Sequence, residues 1–577
     1  MNDKNDYRLV NQQNKEIKLR AQRYDIIKSD SETALAMILD APAPATLIQS
    51  FPDQDLYYLM HKIGPDDFIP ILSMATSNQW EYILDVDVWD NDRLDVPTMT
   101  KVFDVLFQAD PQRLLRWLIT RKPDFFEFYL FKNMSIFIRE HDDIPPEDFE
   151  DYITLDDKFY FRFPDKPDLD DDEMAIPEDS QPAYELIEAM LKSLAGMDLS
   201  VFHGLLLETA ALLTAETEEE QFRLKTLRLA EKGFLPTHEA IGIYQPVKLL
   251  SLGKRPKKLS STQTFFDPSI PLPPQFFAGF MEDDNLFVKS IQLFDSQVLL
   301  VLESELAALI NKVISADKIK LRSKEDLEKA ISKTCNYLNM GLEVLSDNDR
   351  GPAQAKAIIE EHFLEDIFRT GSRAGIRLKA IAEKWFKQSF MGKNDLPLSF
   401  LGEEYLGILG GLLIDRPLYF NEMGKGDRYR NFKTLSDISI TQQKLDQIIA
   451  LDTVLGHLDV DIRSFTHGIL TYKTLLLTLW AKDRLKMEGD LKPMGIKQFK
   501  PFFKALFVPG DGDTTYALPL SDLTIFITEA TGIKEDDLPQ GYYQVIRNLI
   551  QELEENYSTI SPQDLDPRFI PHFLLKE

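Results

Sequence analysis

Short apolar stripes at helical spacing follow one another through the first quarter of the chain. The clearest stripe places apolar side chains at positions i, i+3, i+4 and i+7, which is one face of a helix: Leu56, Leu59, Met60 and Ile63. Pro52-Asp53 precedes this stripe, and the same proline and acid return 13 residues later at Pro65-Asp66. Proline is tolerated in the first turn of a helix, and acids complement the helix dipole there. The pattern therefore predicts a series of short helices.

Further copies of this pattern extend the series. A third copy begins at the capping box from Thr76 to Gln79, and others begin at Pro111, Pro123 and Pro145. No helix this short buries its apolar stripe alone, so neighbouring helices must stack against one another. We therefore expect a curved, superhelical repeat domain over residues 29–163, preceded by a polar N-terminal arm over residues 1–28.

The rest of the chain shows longer helical patterns. The acidic, proline-rich stretch at 164–182 has the composition of a linker, and it separates the repeats from helical domains at 183–395 and 396–577. The expected long helices are 295–315, 324–346, 354–390 with a break near Gly371 and Gly375, 440–458 and 466–486. The clearest strand pattern is the short run from Thr515 to Leu518. The sequence thus predicts an all-α protein with a short-helix repeat region followed by a larger helical body.

The charge balance narrows the choice of partners. The 577 residues include 65 Lys and Arg against 94 Asp and Glu, which gives a formal net charge of −29. Such a surface repels phosphate backbones and anionic lipid headgroups, so we expect no nucleic-acid binding. The acidity serves solubility or the docking of a basic protein partner.

The chain also lacks the patterns of secretion and membrane insertion. Its N-terminal residues are polar and charged, and the longest uncharged apolar run, Leu406 to Ile414, is far too short for a membrane span. We therefore expect a cytoplasmic protein with no membrane span.

Metal ligands do not cluster in the sequence. None of the eight histidines has another histidine at i+3 or i+4. The best local group joins Glu360-Glu361-His362 to Glu365 and Asp366, where one continuous helix would place His362 and Asp366 on the same face. A solvated charged face explains this group without a metal. Cys335, the single cysteine, forms no internal disulfide and reads as a small helix residue. We expect no metal site and no cofactor.

Acidic turns leave weak binding of Mg²⁺ open, because hard cations prefer oxygen ligands. The acids concerned are Asp85, Asp87, Asp90, Asp92 and Asp95, together with Asp511-Gly512-Asp513. Solvated surface acids are the alternative interpretation.

A basic, glycine-containing loop is the best candidate for an anion site. Gly424 to Arg430 follows the segment Arg416 to Phe420. Backbone amides together with four cationic side chains would hold an anion there: Arg416, Lys425, Arg428 and Arg430. An ordinary loop between helices is the alternative.

Two other segments have structural explanations. The glycines from Gly407 to Gly411 lack the Lys-Ser/Thr ending of a phosphate loop, and they favour the close approach of two helices. The basic patch from Lys254 to Lys258 either pairs with acids inside the protein or docks on an acidic face of another subunit.

Certain segments resemble known families. The copies at Pro52 to Leu56 and Pro65 to Ile69 are similar to repeats in the cytosolic N-terminal helical domain of MgtE-type magnesium transporters, and to armadillo-like domains of flagellar motor switch proteins. Over its whole length the chain resembles an uncharacterised bacterial family of sulfate- and metal-reducing anaerobes, in the segments Trp80–Trp89, Gly233–Pro246 and Arg416–Phe420. The first resemblance implies an armadillo-like stack. The second implies no reaction, cofactor or catalytic residue.

These observations favour a non-enzymatic interaction or scaffold protein that binds a protein partner in a groove lined by outward aromatic residues of the repeats. The first alternative is an enzyme or a binder of small molecules or anions, with its site near residues 416–430. The second is weak sensing of divalent cations through the acidic loops. The sequence leaves the pathway, the identity of the partner and the oligomeric state open.

Overall fold

A computed structural model shows the chain as an assembly of helices. It describes residues 2–90, 92–139, 152–163, 183–246, 252–256, 259, 285–321, 324–346, 351–422, 427–462, 465, 470–509, 515–517 and 520–576. The fold is all-α, as the hydrophobic pattern predicts. The expected linker at 164–182 and the repeat copy beginning at Pro145 lie outside the described residues.

The chain forms two compact units. Unit 1 consists of Met1–Gln245, Leu252–Cys335 and Gly351–Asp366, and unit 2 consists of Pro246–Ser251, Asn336–Arg350 and Ile367–Glu577. Residues 29–163 and 183–245 therefore belong to the same unit.

The helices of the first half of the chain, in order, are α1 (Asn2–Lys28), α2 (Ser31–Leu39), α3 (Pro44–Gln49), α4 (Asp53–Ile63), α5 (Ile69–Met74), α6 (Ser77–Asp87), α7 (Val96–Ala109), α8 (Pro111–Arg121), α9 (Pro123–Asn133), α10 (Ala183–Met197), α11 (Leu199–Ala210), α12 (Thr214–Glu231), α13 (Thr237–Ala240) and α14 (Leu286–Ile291). Those of the second half are α15 (Ser296–Asp317), α16 (Lys324–Leu345), α17 (Pro352–Glu361), α18 (Leu364–Gln388), α19 (Phe390–Lys393), α20 (Gly402–Leu412), α21 (Leu435–Leu455), α22 (Tyr472–Arg484), α23 (Ile496–Leu506), α24 (Leu520–Thr531) and α25 (Gln540–Tyr557). Short 3-10 helices cover Ile241–Tyr244, Leu398–Leu401, Glu535–Asp537 and Pro567–Phe569.

The first helices of unit 1 stack with a regular offset. Each packs against the helix two positions further along the chain: α2 against α4, α3 against α5, α4 against α6, and α5 against α7. The local signals that predict these helices are present in the structure. Thr76 and Gln79 form the capping box of α6, while Pro111 and Pro123 occupy the first turns of α8 and α9. The stacking buries the apolar stripe of α4, including Leu56, Leu59 and Met60.

The N-terminal segment departs from the plain polar arm that its composition indicates. Residues 2–28 form the single helix α1, in which Ile26 and Ile27 are buried. The Arg23 guanidinium is also buried, and it donates hydrogen bonds to Ser50 Oγ (3.0 Å) and Glu16 Oε1 (2.9 Å). The next helix, α2, is capped by Asp30, whose side chain accepts from the Thr33 amide.

Strands are short throughout the described residues. Unit 1 contains β1 (Trp89–Asp90) paired with β2 (Arg93–Leu94), and a sheet of β3 (Ser135–Ile138), β4 (Ile153–Thr154) and β5 (Phe159–Arg162) in the order β3-β5-β4. Unit 2 contains the pairs β6 (Tyr419–Phe420) with β7 (Tyr429–Arg430), β8 (Met494–Gly495) with β11 (Leu575–Lys576), and β9 (Phe507–Pro509) with β10 (Thr515–Ala517). The strand expected at Thr515 is thus one arm of an antiparallel pair.

The break expected near Gly371 and Gly375 in the helical stretch 354–390 is misplaced. The chain breaks at His362 and Phe363, between α17 and α18, while Gly371 and Gly375 lie inside α18. His362 leaves the helix because it forms an isolated β-bridge with Lys254. It therefore does not share a helix face with Asp366. The local group of acids around His362 is divided between two helices.

In unit 2, α21 and α25 lie against each other, with α19 and α20 against α21 and α24 against α25. A chain of polar contacts fixes its C-terminal segment to α25: the Tyr557 hydroxyl lies 2.6 Å from His572 Nδ1, and His572 Nε2 lies 2.9 Å from Glu552 Oε1. The ammonium group of Lys473 donates to the other oxygen of Glu552. Hydrogen bonds from His572 and Lys473 lower the pKa of Glu552 to about 2.

No single helix among the described residues is both long and apolar enough to cross a membrane. Helices α11 and α12 satisfy the length and composition test only as a pair, with a bend of 107° between them.

Candidate functional site

The predicted anion loop forms a small hairpin in unit 2. Tyr419 of β6 pairs with Arg430 of β7. The Arg430 guanidinium donates to both carboxylate oxygens of Asp437, at 2.8 and 2.9 Å, and it lies over the Tyr419 ring at 4.3 Å from the ring centroid. A bidentate pair of this kind balances the charge of the arginine. Arg430 therefore has a structural partner, and an anion at this position would compete with Asp437.

The other residues of the predicted anion site have different environments. Arg428 is exposed, and its carbonyl oxygen accepts from the Asn421 amide at 2.8 Å. Arg416 is half-buried ahead of β6, and Lys425 lies outside the described residues. Arg428 is thus the best placed of these side chains to meet an anion from solvent.

The glycine run in α20 accommodates this hairpin and not a second helix, which corrects the expectation. A Cβ atom on Gly407 would lie 2.5 Å from the Phe420 ring, and one on Gly411 would lie 2.6 Å from the Leu418 carbonyl oxygen. The glycines therefore permit strand β6 and its neighbouring residues to approach the helix closely.

The basic patch near Lys254 pairs inside the protein. Arg255 forms a bidentate ion pair with Glu305, and Lys254 pairs with Glu361. Lys257 and Lys258 lie outside the described residues. Of the two interpretations of this patch, internal pairing holds for Lys254 and Arg255.

Three acids of the segment from Asp85 to Asp95 have separate protein partners, while Asp92 is exposed. Asp85 accepts both hydrogen bonds of a bidentate pair from Arg228, each 2.7 Å long. Asp90 pairs with Lys320, and Asp95 accepts from Thr98 Oγ1 at 2.7 Å. Within the part of the chain that the structure describes, no three His, Cys, Asp or Glu side chains are grouped so that they could hold a metal ion. The Asp511-Gly512-Asp513 turn lies outside that part.

Another acid of that segment, Asp87, belongs to a buried polar cluster that sequence reasoning missed. The Tyr57 hydroxyl of α4 lies 2.5 Å from Asp87 Oδ1 of α6 and 2.9 Å from the Leu321 carbonyl oxygen. A hydroxyl has one proton, so it cannot donate to both acceptors. Both contacts are satisfied when Asp87 carries a proton and donates to Tyr57, which in turn donates to Leu321.

The electrostatics of this cluster agree with that arrangement. Burial raises the pKa of Asp87 to about 7, so the protonated carboxyl is well populated at neutral pH. His61 lies beside it, with Nε2 3.8 Å from Asp87 Oδ2, and burial lowers the pKa of His61 to about 4. The two side chains are each 16% exposed. The cluster can therefore exchange a proton with solvent at Asp87 while His61 stays neutral.

Further polar groups lie behind Tyr57. The rings of Tyr57 and Tyr82 are 5.7 Å apart, edge to face. Tyr82 and Gln54 are also buried there. A sequence signal for this cluster exists in the i, i+4 spacing of Tyr57 and His61, but nothing in one sequence indicates that α6 packs beside that face.

Helix α12 presents the most unusual surface of unit 1. Its only buried side chain is Gln221, although the helix has 18 residues. Leu213 at its N-terminus is 66% exposed and Leu227 is 56% exposed. An open concavity of about 520 Å³ runs along this helix, lined by Glu216, Glu219, Glu220, Phe222, Arg223, Thr226 and Leu227. Soluble helices normally bury an apolar stripe, and α12 leaves much of its own in solvent.

Polar contacts attach α12 to the rest of unit 1. Arg228 forms its bidentate pair with Asp85, and Lys232, just after the helix, pairs with Asp53. The Leu94 amide donates to Glu218 Oε1 at 2.7 Å. These contacts hold the inner side of the helix and leave its outer side open.

Lys225 faces aromatic rings on the inner side of α12. Its ammonium lies 4.7 Å from the centroid of the Trp89 ring and 5.5 Å from that of Phe222. Burial lowers the pKa of Lys225 to about 8. The rings favour the charged form of the amine, so the lysine serves as a packing contact between α12 and the β1–β2 hairpin.

Comparison with known proteins identifies one match. The model of a family of unknown function, DUF6178, matches residues 11–576. No curated protein and no solved structure matches the chain.

Proposed function

Since the chain belongs to this family of unknown function, whose description assigns no reaction, we propose that it is a helical protein-binding protein and that α12 carries its docking surface. The observation that supports this is the exposure of Leu213 and Leu227 on a helix with one buried side chain. Exposed apolar residues beside a concavity are typical of protein interaction sites.

The proposal moves the docking surface away from the aromatic residues of the repeats. Trp80, Tyr82, Phe126 and Tyr129 are all buried, so these four cannot line a groove, although Phe131 of α9 is exposed. Their burial stabilises the helical stack, and α12 supplies the surface that the stack does not cover.

A crosslinking experiment tests the proposal. A photo-reactive amino acid replaces Leu227 in the full-length chain, and a matched variant carries it at Leu39, an exposed leucine of α2 in the same unit. We expect a discrete product from position 227 only, and saturable binding when that partner is purified. Leu227→Asp should weaken the binding at least tenfold and Leu39→Asp should leave it unchanged. Equal products at both positions, or an L227D chain that binds normally, would refute the proposal.

Anion binding at the hairpin of β6 and β7 is a second proposal, and the exposure of Arg428 supports it. Titration with inorganic phosphate, followed by the NMR shifts of the hairpin amides, tests it. Saturable shifts that Arg428→Ala abolishes would support an anion site, and their absence at millimolar phosphate would refute it.

A further inference from the structure

The outer face of α12 carries acids that have no basic partner among the described residues. Glu216, Glu219, Glu220, Arg223 and Leu227 occupy positions i, i+3, i+4, i+7 and i+11, which is one helix face. Arg223 pairs with Glu220, at 2.6 and 2.8 Å. Glu216 and Glu219 remain, and both are exposed.

Apart from Arg223, the basic residues of this region that the structure describes have partners on the inner side of the helix. Arg228 is engaged by Asp85, Lys232 by Asp53, and Lys225 by the Trp89 ring. These three positive charges are thus used to fasten the helix, while Glu216, Glu219 and the Glu220–Arg223 pair line the concavity. This segregation gives the concavity a net negative charge at the end near Glu216 and an apolar end at Leu227.

We propose that this concavity binds a basic amphipathic helix of another protein, an inference that rests on the function proposed above. Lysine or arginine side chains one turn apart would pair with Glu216 and Glu219, because residues three or four apart are neighbours on both helices. An apolar residue about two turns further along the partner helix would pack against the exposed Leu227. Charge complementarity of this kind sets the orientation of the partner and accelerates its association.

A lipid surface is the competing occupant, because α11 and α12 together have the length and composition of a bent apolar pair. The exposed acids at Glu216 and Glu219 disfavour it, since anionic headgroups repel them. The two occupants give different results in the experiment below.

The probe is a fluorescein-labelled synthetic helix with lysines at i and i+4 and leucines on the adjoining face, and its control is the same peptide with glutamate in place of each lysine. We expect fluorescence anisotropy with the full-length chain to show at least tenfold tighter binding of the lysine peptide, and weaker binding as NaCl rises from about 50 to 300 mM. The double variant Glu216→Lys/Glu219→Lys should lose at least tenfold in affinity.

A matched variant separates this site from the general acidity of the protein. Glu32→Lys/Glu239→Lys changes the net charge equally at two exposed glutamates of the same unit, and it should bind the lysine peptide like the unmodified chain. Equal losses in the two double variants, or equal binding of the two peptides, would overturn the inference. A second result would also overturn it: the lysine peptide does not bind, the chain floats with phosphatidylcholine vesicles, and Leu227→Asp abolishes that flotation.

The failure of this inference differs from the failure of the proposed function. If the partner crosslinked at position 227 contacts α12 through a neutral or acidic segment, and E216K/E219K does not weaken its binding, the inference is wrong and the proposed function stands. If L227D leaves partner binding intact, both fail.

Discussion

A Cβ atom on Gly371 would lie 2.7 Å from the backbone nitrogen of Gly341 and 2.0 Å from the carbonyl oxygen of Tyr337. The relationship is reciprocal, because a Cβ atom on Gly341 would lie 2.0 Å from the carbonyl oxygen of Ile367. Helices α16 and α18 therefore cross with their backbones in contact, and only glycine fits at either position. The two glycines act as a matched pair within unit 2.

Replacing Gly371 with alanine should destabilise the protein strongly. The methyl group has no space, so the helices must separate, and overpacking of this kind costs roughly 1–3 kcal/mol or more. Chemical denaturation should show a lower free energy of unfolding for G371A. Gly204→Ala in α11 is the control, because a Cβ atom there meets nothing within 4 Å; it should be neutral or stabilise by about 0.5–1 kcal/mol. A G371A chain as stable as G204A would contradict the crossing.

The cluster of Asp87 and His61 predicts opposite effects of two substitutions on the pH dependence of stability. The folded-state pKa of Asp87 is raised to about 7 by burial. Its protonation thus favours the folded state, and this contribution is lost as pH rises from about 4 to 7. The folded-state pKa of His61 is lowered to about 4 by burial, so His61 disfavours the folded state as pH falls from about 6.5 to 4. In the unmodified protein these two opposite dependences of stability on pH largely cancel.

Replacing either residue should reveal the pH dependence of stability that the other residue causes. Asp87→Asn should make stability rise with pH between about 4 and 6.5, and His61→Gln should make it fall with pH between about 4 and 7, each by on the order of 1 kcal/mol per pH unit. Urea denaturation at a series of pH values measures both. Parallel curves for the two variants would show that neither group titrates as described.

Arg430 and Arg428 should differ in their effect on stability despite lying two residues apart. Arg430→Ala leaves the carboxylate of Asp437 without its cation. This should lower the free energy of unfolding by about 2–4 kcal/mol. Arg428→Ala, at an exposed position, should change it by less than about 0.5 kcal/mol. Thermal denaturation of the two variants provides the comparison, and equal melting temperatures would be evidence against the Arg430–Asp437 pair.

Glu552 should make the C-terminal segment of unit 2 sensitive to acid. Its folded-state pKa is lowered to about 2 by His572 and Lys473, so its contribution is present above pH 4.5 and is lost as pH falls towards 2. Glu552→Gln should lower stability at neutral pH by about 2 kcal/mol and flatten the acid limb of the stability curve. Glu555→Gln, the same substitution at an exposed position of the same helix, is the matched control and should preserve that limb.

Local sequence signals predict the starts of helices in this protein. The Thr76–Gln79 capping box and the prolines at 111 and 123 act within one turn of the chain, and the helices begin where these signals stand. The apolar stripe of α4 is likewise buried as its spacing indicates. These features depend on neighbours three or four residues away, which one sequence contains.

The features that one sequence does not predict depend on distant partners. Gly371 resembles a helix breaker until the close approach of α16 is known, and His362 resembles a helix residue until its bridge with Lys254 is known. The contact of Tyr57 with Asp87 joins two helices, and the inward pairing of Arg228 with Asp85 joins residues 143 positions apart. Such pairings are set by packing, which the pattern along the chain does not specify.

The burial of Cys335 has a practical consequence. It is the single cysteine of the chain, and its side chain is enclosed in α16. A thiol reagent reaches it only when that part of the helix opens, so the rate of labelling reports the free energy of local opening. The native protein therefore carries its own chemical reporter at one defined position. No engineered probe is needed to follow the local opening of this helix.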